Sequence, residues 1–250
     1  MQNYRSKGRA CKIFGGIFLE TISVIANNLS LSNFLHDVAE EFHTYIFDRG
    51  DRIHVKIGET LFCEGDPAQR CYFVLRGRLK LTKLHEQGKT VVVRYINPGE
   101  LTAAISVFKE KNYPVTAQAA AAAETIGWNK QTMVDLMAEF PQLAVNMLRV
   151  AVDRLDDMQT RYLELCAEQV EQRIARALLR IMRQSGLKTE DGILIDFRLS
   201  RQELAEYTGT TLYTVSRALS AWEKKGWVIS GRERIKVSDP HALVLFAENG

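Results

Sequence analysis

The sequence predicts an α+β protein built in three successive parts: a β-sandwich or barrel of short strands, one long helix, and a small helical unit carrying a β-ribbon. Three observations predict it. Glycine-containing turns recur at roughly ten-residue intervals between residues 45 and 130. Apolar residues recur every seven positions from Pro141 to Ala167. A capping box, a glycine and a second cap follow one another between Ser200 and Thr211.

With 250 residues, 46% of them hydrophobic, the chain is long enough for two cored domains. The expected partition is an extension at 1–30, a sensor-type β-domain at 31–140, a dimerisation helix at 141–167 and a terminal helical domain at 168–250. Net charge is +3, so any polyanion would be met by local placement of Arg and Lys, not by bulk charge. Cys11, Cys63, Cys71 and Cys166 are scattered. Neither a zinc site nor a disulfide scaffold is expected from them.

The extension carries Arg5, Lys7, Arg9 and Lys12 ahead of an apolar run from Ile13 to Ile25. Glu20 interrupts that run, no Ala-x-Ala-like end follows, and it is too short to span a bilayer. No membrane partner and a cytoplasmic location are expected.

In the β-domain, Gly58, Gly65-Asp66-Pro67, Gly77, Gly88 and Pro98-Gly99 punctuate apolar strands. Expected strands include Tyr72–Leu75, Leu79–Leu81 and Val91–Tyr95. Cys63 and Cys71 are expected as small packed hydrophobes. On neighbouring strands they could instead form a redox switch.

The long helix follows from Pro141. Leu148, Leu155 and Tyr162 lie seven apart, as do Ala144, Ala151, Met158 and Leu165. The spacing predicts a coiled-coil seam and a parallel homodimer, with Leu148, Ala151, Leu155, Met158, Tyr162 and Leu165 at the interface. The chain should break near Ala167–Val170. The next helix turns Ile174, Leu178, Ile181 and Met182 inward.

In the last part, Ser200 and Glu203 form a capping box, Gly209 ends the helix, and Thr210 or Thr211 caps a second helix running to about Lys225. This is a helix-turn-helix pattern. Leu212, Val215, Leu219 and Trp222 should face the core. Tyr213, Arg217, Ser220 and Lys224 should face out, where such groups read base edges or hold phosphates. Two strands around Gly231 would form a wing, with Arg232 and Arg234 near the DNA backbone. The DNA-binding candidates are Ser200, Arg201, Thr211, Tyr213, Thr214, Ser216, Arg217, Ser220, Arg232 and Arg234. Double-stranded DNA is the expected partner. A two-fold dimer would set two such helices about 34 Å apart on a pseudo-palindromic site.

The strings Ser200-Arg-Gln-Glu-Leu-Ala205, Gly209 and Thr214-Val-Ser-Arg217 resemble the winged helix-turn-helix of the CRP/FNR family of bacterial transcription regulators. Gly58-x-x-Leu-Phe-x-x-Gly-Asp-Pro-Ala68 and Tyr72-x-Val-x-x-Gly-x-Leu-Lys80 are similar to the family's cyclic-nucleotide-binding jelly roll. The resemblance covers about residues 45–240. It implies a dimeric regulator with a sensor jelly roll, with RNA polymerase as a further partner, and DNA contacts at Ser216 and Arg217. The family has Glu where this chain has Tyr213, and a Tyr does not accept from cytosine amino groups as Glu does.

The resemblance further implies a phosphate loop at Gly99, Glu100 and Leu101, followed by an Arg that grips phosphate bidentately. Tyr113 or Pro114 stands where that Arg would be. Lys109 or Lys111 could approach a phosphate but lacks the fork geometry. Tyr113, Val115 and Thr116 complete the effector-binding candidates. A classical cyclic AMP response is therefore not expected. Haem is the alternative by analogy with gas-sensing or nitric-oxide-responsive and redox-responsive relatives, but His36, His43, His54, His85 and His241 show no ligand spacing. An iron–sulfur cluster is not expected, since Cys11 stands alone in the N-terminal region. A metal-dependent jelly-roll enzyme would need clustered ligands such as His-x-His, and the chain has none. It also lacks a Walker loop, a Gly-x-Ser-x-Gly elbow and a His-Glu-x-x-His, so no enzyme is expected.

Overall fold

The computed structural model describes residues 32–249. The expectations placed on the extension at 1–30, Cys11 included, lie outside the described residues.

Helix α1 (Glu40–Asp48) leads into β1 (Asp51–Val55), β2 (Thr60–Phe62), β3 (Arg70–Leu84), β4 (Thr90–Ile96) and β5 (Leu101–Thr102). A short α2 (Ala104–Phe108), a long β6 (Thr116–Asn129) and α3 (Lys130–Glu139) complete the β-rich part. All its strands pair antiparallel in the order β1-β6-β3-β4, with β2 on β6 and β5 on β3. Tyr72–Leu75 and Leu79–Leu81 are not two strands. They belong to the single strand β3, and Gly77 between them is a kink. Its φ is 74°, and a Cβ there would stand 1.9 Å from the Ala122 carbonyl oxygen of β6. The register shifts on either side of it, so β3 bends without ending.

One core lies beneath α1 and α3, where Phe34, Phe47, Phe73 and Trp128 pack ring on ring. The Trp128 indole donates to the Ile46 carbonyl at 3.0 Å, so its one polar atom is satisfied. Helix α4 (Pro141–Ala167) is seated on this core by Leu143 and by a fully buried Asn146. The Asn146 amide donates to the Phe34 and His36 carbonyls. Pro141 at the first turn suits its fixed φ.

Along the rest of α4 the apolar stripe is open. Val145, Leu148, Val152, Leu155 and Tyr162 are 47–67% exposed. Val145, Leu148, Val152 and Leu155 alternate steps of three and four, and Tyr162 follows seven after Leu155, the spacing of a heptad seam. Met158 and Leu165 of the expected row are exposed as well. Ala151 turns instead toward an internal cavity.

Glu168 is extended and Gln169 opens α5 (Val170–Ser185) with a capping box to Gln172. Ile174, Leu178 and Ile181 are buried there, and Met182 packs on the core from a half-buried position. The sequence reading named none of the helices α1, α2 and α3, nor the hairpin of β7 (Gly186–Thr189) and β8 (Gly192–Ile195), nor α8 (Pro240–Asn249). The helix-turn-helix is α6 (Arg201–Thr208) and α7 (Leu212–Lys224), and the wing is β9 (Val228–Gly231) with β10 (Arg234–Val237). The sheet order is β7-β8-β10-β9.

The second core includes Val92 and Tyr95 from β4, so the helix-turn-helix unit docks on the first sheet. Tyr95 packs on Phe197 and Tyr207 at ring distances of 4.9 and 5.8 Å. The Arg78 guanidinium stacks over Phe197 at 4.3 Å, and Lys80 pairs with Glu203 at 2.5 Å. Arg161 of α4 donates to the Val93 and Tyr207 carbonyls and lies over the Tyr207 ring.

Candidate nucleic-acid interface and effector cavity

The helix pair is set by its caps. The Ser200 hydroxyl accepts from the Glu203 amide at 3.1 Å, and the Glu203 carboxylate accepts from the Ser200 amide at 3.0 Å. Burial acts to raise the Glu203 pKa, but the Lys80 ammonium and the Ser200 donors outweigh it and hold it below the usual carboxylate range. Gly209 takes φ 65°, ψ 37°, the left-handed conformation a helix stop favours. Thr211 then accepts from the Thr214 amide at 3.2 Å and starts α7.

Helix α7 buries Val215, Ala218, Leu219 and Trp222. Leu212 is a correction: it is 47% exposed, because the first turn of α7 projects past the core. Tyr213, Arg217, Ser220 and Lys224 form the open face, with Tyr213 at 75% exposure. Arg217 meets Glu171 at 2.9 Å in an exposed pair, which a phosphate or base edge could displace at little cost. Thr214 and Ser216 are half-buried beside that face.

The wing turn is Arg232-Glu233, with Glu233 at φ 62°. Arg232 and Arg234 are exposed there. Three side chains fix the wing to the helices: Arg201 donates to the Ser230 hydroxyl at 2.6 Å, and that hydroxyl donates to Glu223 at 2.7 Å. Arg201 is therefore engaged in positioning, and Ser200 and Thr211 in capping. Sequence reasoning missed Glu223 and Ser230, which have no local motif and meet only through the fold.

A cavity of about 400 Å³ lies among the β-sheet, α2, α4 and the start of the helix-turn-helix unit. Leu101, Tyr113 and Val115 line it; Gly99, Glu100 and Thr116 do not. The Gly99 amide donates to the Val74 carbonyl and the Glu100 amide to that of Asn97. The Glu100 carboxylate is held by Arg94 at 2.5 Å and by Asn97 at 3.1 Å. The Thr116 hydroxyl accepts from the Glu64 amide. The Gly99 and Glu100 amides, the Glu100 carboxylate and the Thr116 hydroxyl are thus each already bonded within the protein. Of the two residues expected where the Arg is missing, Tyr113 stacks its ring on Phe62 at 4.1 Å and its hydroxyl bonds the Arg70 backbone.

No histidine or cysteine lines this cavity, and among the described residues no group of three or more His, Cys, Asp or Glu could hold a metal. Of the two cysteines expected as packed hydrophobes, Cys71 is buried and Cys63 is exposed, and the alternative of a switch between them is not supported by their places. Cys71 pairs with Trp128 and Phe62, next to Cys63, pairs with Ala117, at opposite ends of β6. Burial pushes the Cys71 thiol up to about 12. No helix of the described residues is long and apolar enough to cross a membrane.

Residues 52–140 match the cyclic nucleotide-binding domain family, and residues 172–246 match the Crp-like helix-turn-helix domain family. The chain is 26% identical over 222 residues to the global nitrogen regulator of Nostoc sp., covering 88% of this chain and 97% of that protein. It is 23% identical over 186 residues to the CRP-like cAMP-activated global transcriptional regulator of Mycobacterium tuberculosis, covering 74% and 83%. A solved CRP/FNR-family transcriptional regulator from Thermus thermophilus shares the fold, with a TM-score of 0.69 at 22% identity over 80% of this chain and 99% of that one.

Proposed function

The chain belongs to the CRP/FNR family and is a DNA-binding transcription regulator of that type, and from this premise we propose that it acts as a cytoplasmic homodimer on a pseudo-palindromic site. The observation that carries this reading is the pairing of two open surfaces in one chain. One is the outer face of α7, with Tyr213, Arg217 and Ser220 free of the core. The other is the uncovered heptad stripe of α4. Two copies joined along that stripe present two α7 helices, and a two-fold protein reads a two-fold site.

Ser216 and Arg217 supply base-edge contacts, Tyr213 replaces the family's Glu in reading the half-site, and Arg232 and Arg234 hold the backbone from the wing. The cavity is the effector site. Occupancy shifts the balance between arrangements of the docked helix-turn-helix units, because the cavity wall includes α4 and Tyr207 of α6. RNA polymerase is the partner through which DNA occupancy would be read out. No catalytic role is proposed.

The test is selection of bound DNA from a random library by the purified protein, with its mass in solution measured alongside. The expected result is a pseudo-palindrome with half-sites about one helical turn apart, bound by a dimer. No enriched motif, with or without added small molecules, overturns the reading.

A further inference from the structure

The effector cavity is apolar on most of its wall and cationic at its edge. Four arginines line it (Arg94, Arg154, Arg161 and Arg180) against one carboxylate, Asp157. Arg94 is offset by Glu100 at 2.5 Å and Arg180 by Glu164 at 2.6 Å. Arg154 and Arg161 have no carboxylate within 4.0 Å among the described residues. Arg161 spends its donors on two carbonyls and a ring. Arg154 lines the cavity and gives one N–H to the Leu101 carbonyl, which leaves the other donors of its five-donor fork without a protein acceptor among the described residues. Burial, with Arg94 nearby, pushes its pKa down to about 10. The Glu100 and Asp157 carboxylates offset part of that charge at a distance, but neither forms an ion pair with Arg154, so a direct anionic partner would complete its compensation.

We propose that this cavity takes a small organic monocarboxylate with an apolar body, its carboxylate clasped by Arg154. The inference rests on the reading of the cavity as the effector site and names the ligand class for it. Planar bidentate recognition matches a carboxylate to a guanidinium. The aryl or alkyl body lies against Leu81, Val93, Tyr113 and Val115, which offer contact area and no hydrogen bonds to a sugar. A cyclic nucleotide is disfavoured on the same wall. Glu100 is closed off by Arg94 and Asn97, the Gly99 and Glu100 amides already have acceptors, and the chain offers Tyr113 or Pro114 in place of a phosphate-pairing Arg. The anchor also has a path outward. Arg154 stands on α4, the proposed dimer helix. The Leu101 it bonds follows Glu100, which Asn97 links to Gln184 of α5.

Titration of the full chain with phenylacetate and octanoate, and separately with phenylacetamide, octanamide and cyclic AMP, tests this by calorimetry and melting temperature. The expected result is stabilisation by at least one carboxylate, weakened about tenfold or more in its neutral amide. R154Q should lose that binding, and R154K should recover only part of it. Ile105 sits exposed on the cavity rim, so I105E should weaken carboxylate binding by repulsion without burying a charge. That variant serves if R154Q fails to fold. Three results overturn the proposal: no carboxylate binding at about 10 mM, enough to populate a millimolar complex; equal binding of acid and amide; or undiminished binding by both R154Q and I105E. Tight cyclic AMP binding without carboxylate binding discards the ligand class and keeps the effector site. A selected DNA motif with neither ligand keeps the regulator and discards the carboxylate.

Discussion

Single side chains decide the contacts with DNA and the bend of the sheet. Arg217 stands clear of the core, paired with a half-buried Glu171, so Arg217→Ala should leave folding and dimer mass unchanged. It should weaken specific DNA binding by about 1–3 kcal/mol, read by fluorescence anisotropy against a scrambled site. An equal loss on both sequences would make Arg217 a phosphate contact. Gly77 is the opposite case, a residue that touches no partner and determines a strand. An alanine methyl there collides with the Ala122 carbonyl at a positive φ. Gly77→Ala should cost about 2 kcal/mol or more in chemical denaturation. The wing is held by Arg201, Ser230 and Glu223, polar groups that meet from three different elements.

At the scale of elements, α4 carries two faces with separate duties. Its outer stripe of Val145, Leu148, Val152 and Leu155 is too apolar and too continuous to be left to water. Val152→Glu should convert the dimer to a monomer in light scattering and abolish binding to a two-half-site DNA. Ala151, which faces the cavity, should tolerate substitution without dissociation. An unchanged dimer in Val152→Glu would assign α4 another neighbour. Helix α6 is fastened to β3 by Lys80–Glu203, a pair of which each side chain is at most 20% exposed. The Glu203 pKa is lowered in the folded chain, so the stability it adds is complete above the ordinary glutamate pKa. That stability is lost as pH falls through the lowered value. Glu203→Gln should therefore reduce stability by about 1–3 kcal/mol at neutral pH. The gap from wild type should close as the melting curves are repeated toward pH 3–4, the ordinary carboxylate range.

For the whole molecule, the interface between the two cores is the element most open to regulation. Tyr95 fills it with its ring, but its hydroxyl is buried without a hydrogen-bond partner among the described residues. Burial and the Glu203 carboxylate raise its pKa, which leaves a neutral phenol with no acceptor. An orphaned donor of this kind costs about 1–3 kcal/mol. Tyr95→Phe should raise the melting temperature by roughly 2–4 °C for each kcal/mol of that cost removed. It should also favour the docked arrangement, shifting DNA affinity in calorimetry even though Tyr95 touches no DNA. A lower melting temperature would mean that the hydroxyl finds its partner in the arrangement present in solution.

The sequence by itself determined the helix-turn-helix and the long helix. Ser200, Glu203, Gly209 and Thr211 act through bonds to residues three or four positions away, so their pattern is written locally. Pro141 and the heptad spacing do the same for α4. What only the tertiary structure decided depends on distant pairs. Gly77 resembles a turn until β6 is laid beside it. Leu212 fits the apolar period but falls beyond the edge of the core. The β7–β8 hairpin has short strands whose pairing with β10 is not signalled within either segment. The cavity joins Leu101, Tyr113 and Arg154 across more than fifty residues of chain. Local bonding and periodicity are legible from one strand of text, whereas burial, close approach and the balance of charge around a cavity exist only once remote segments share the same space.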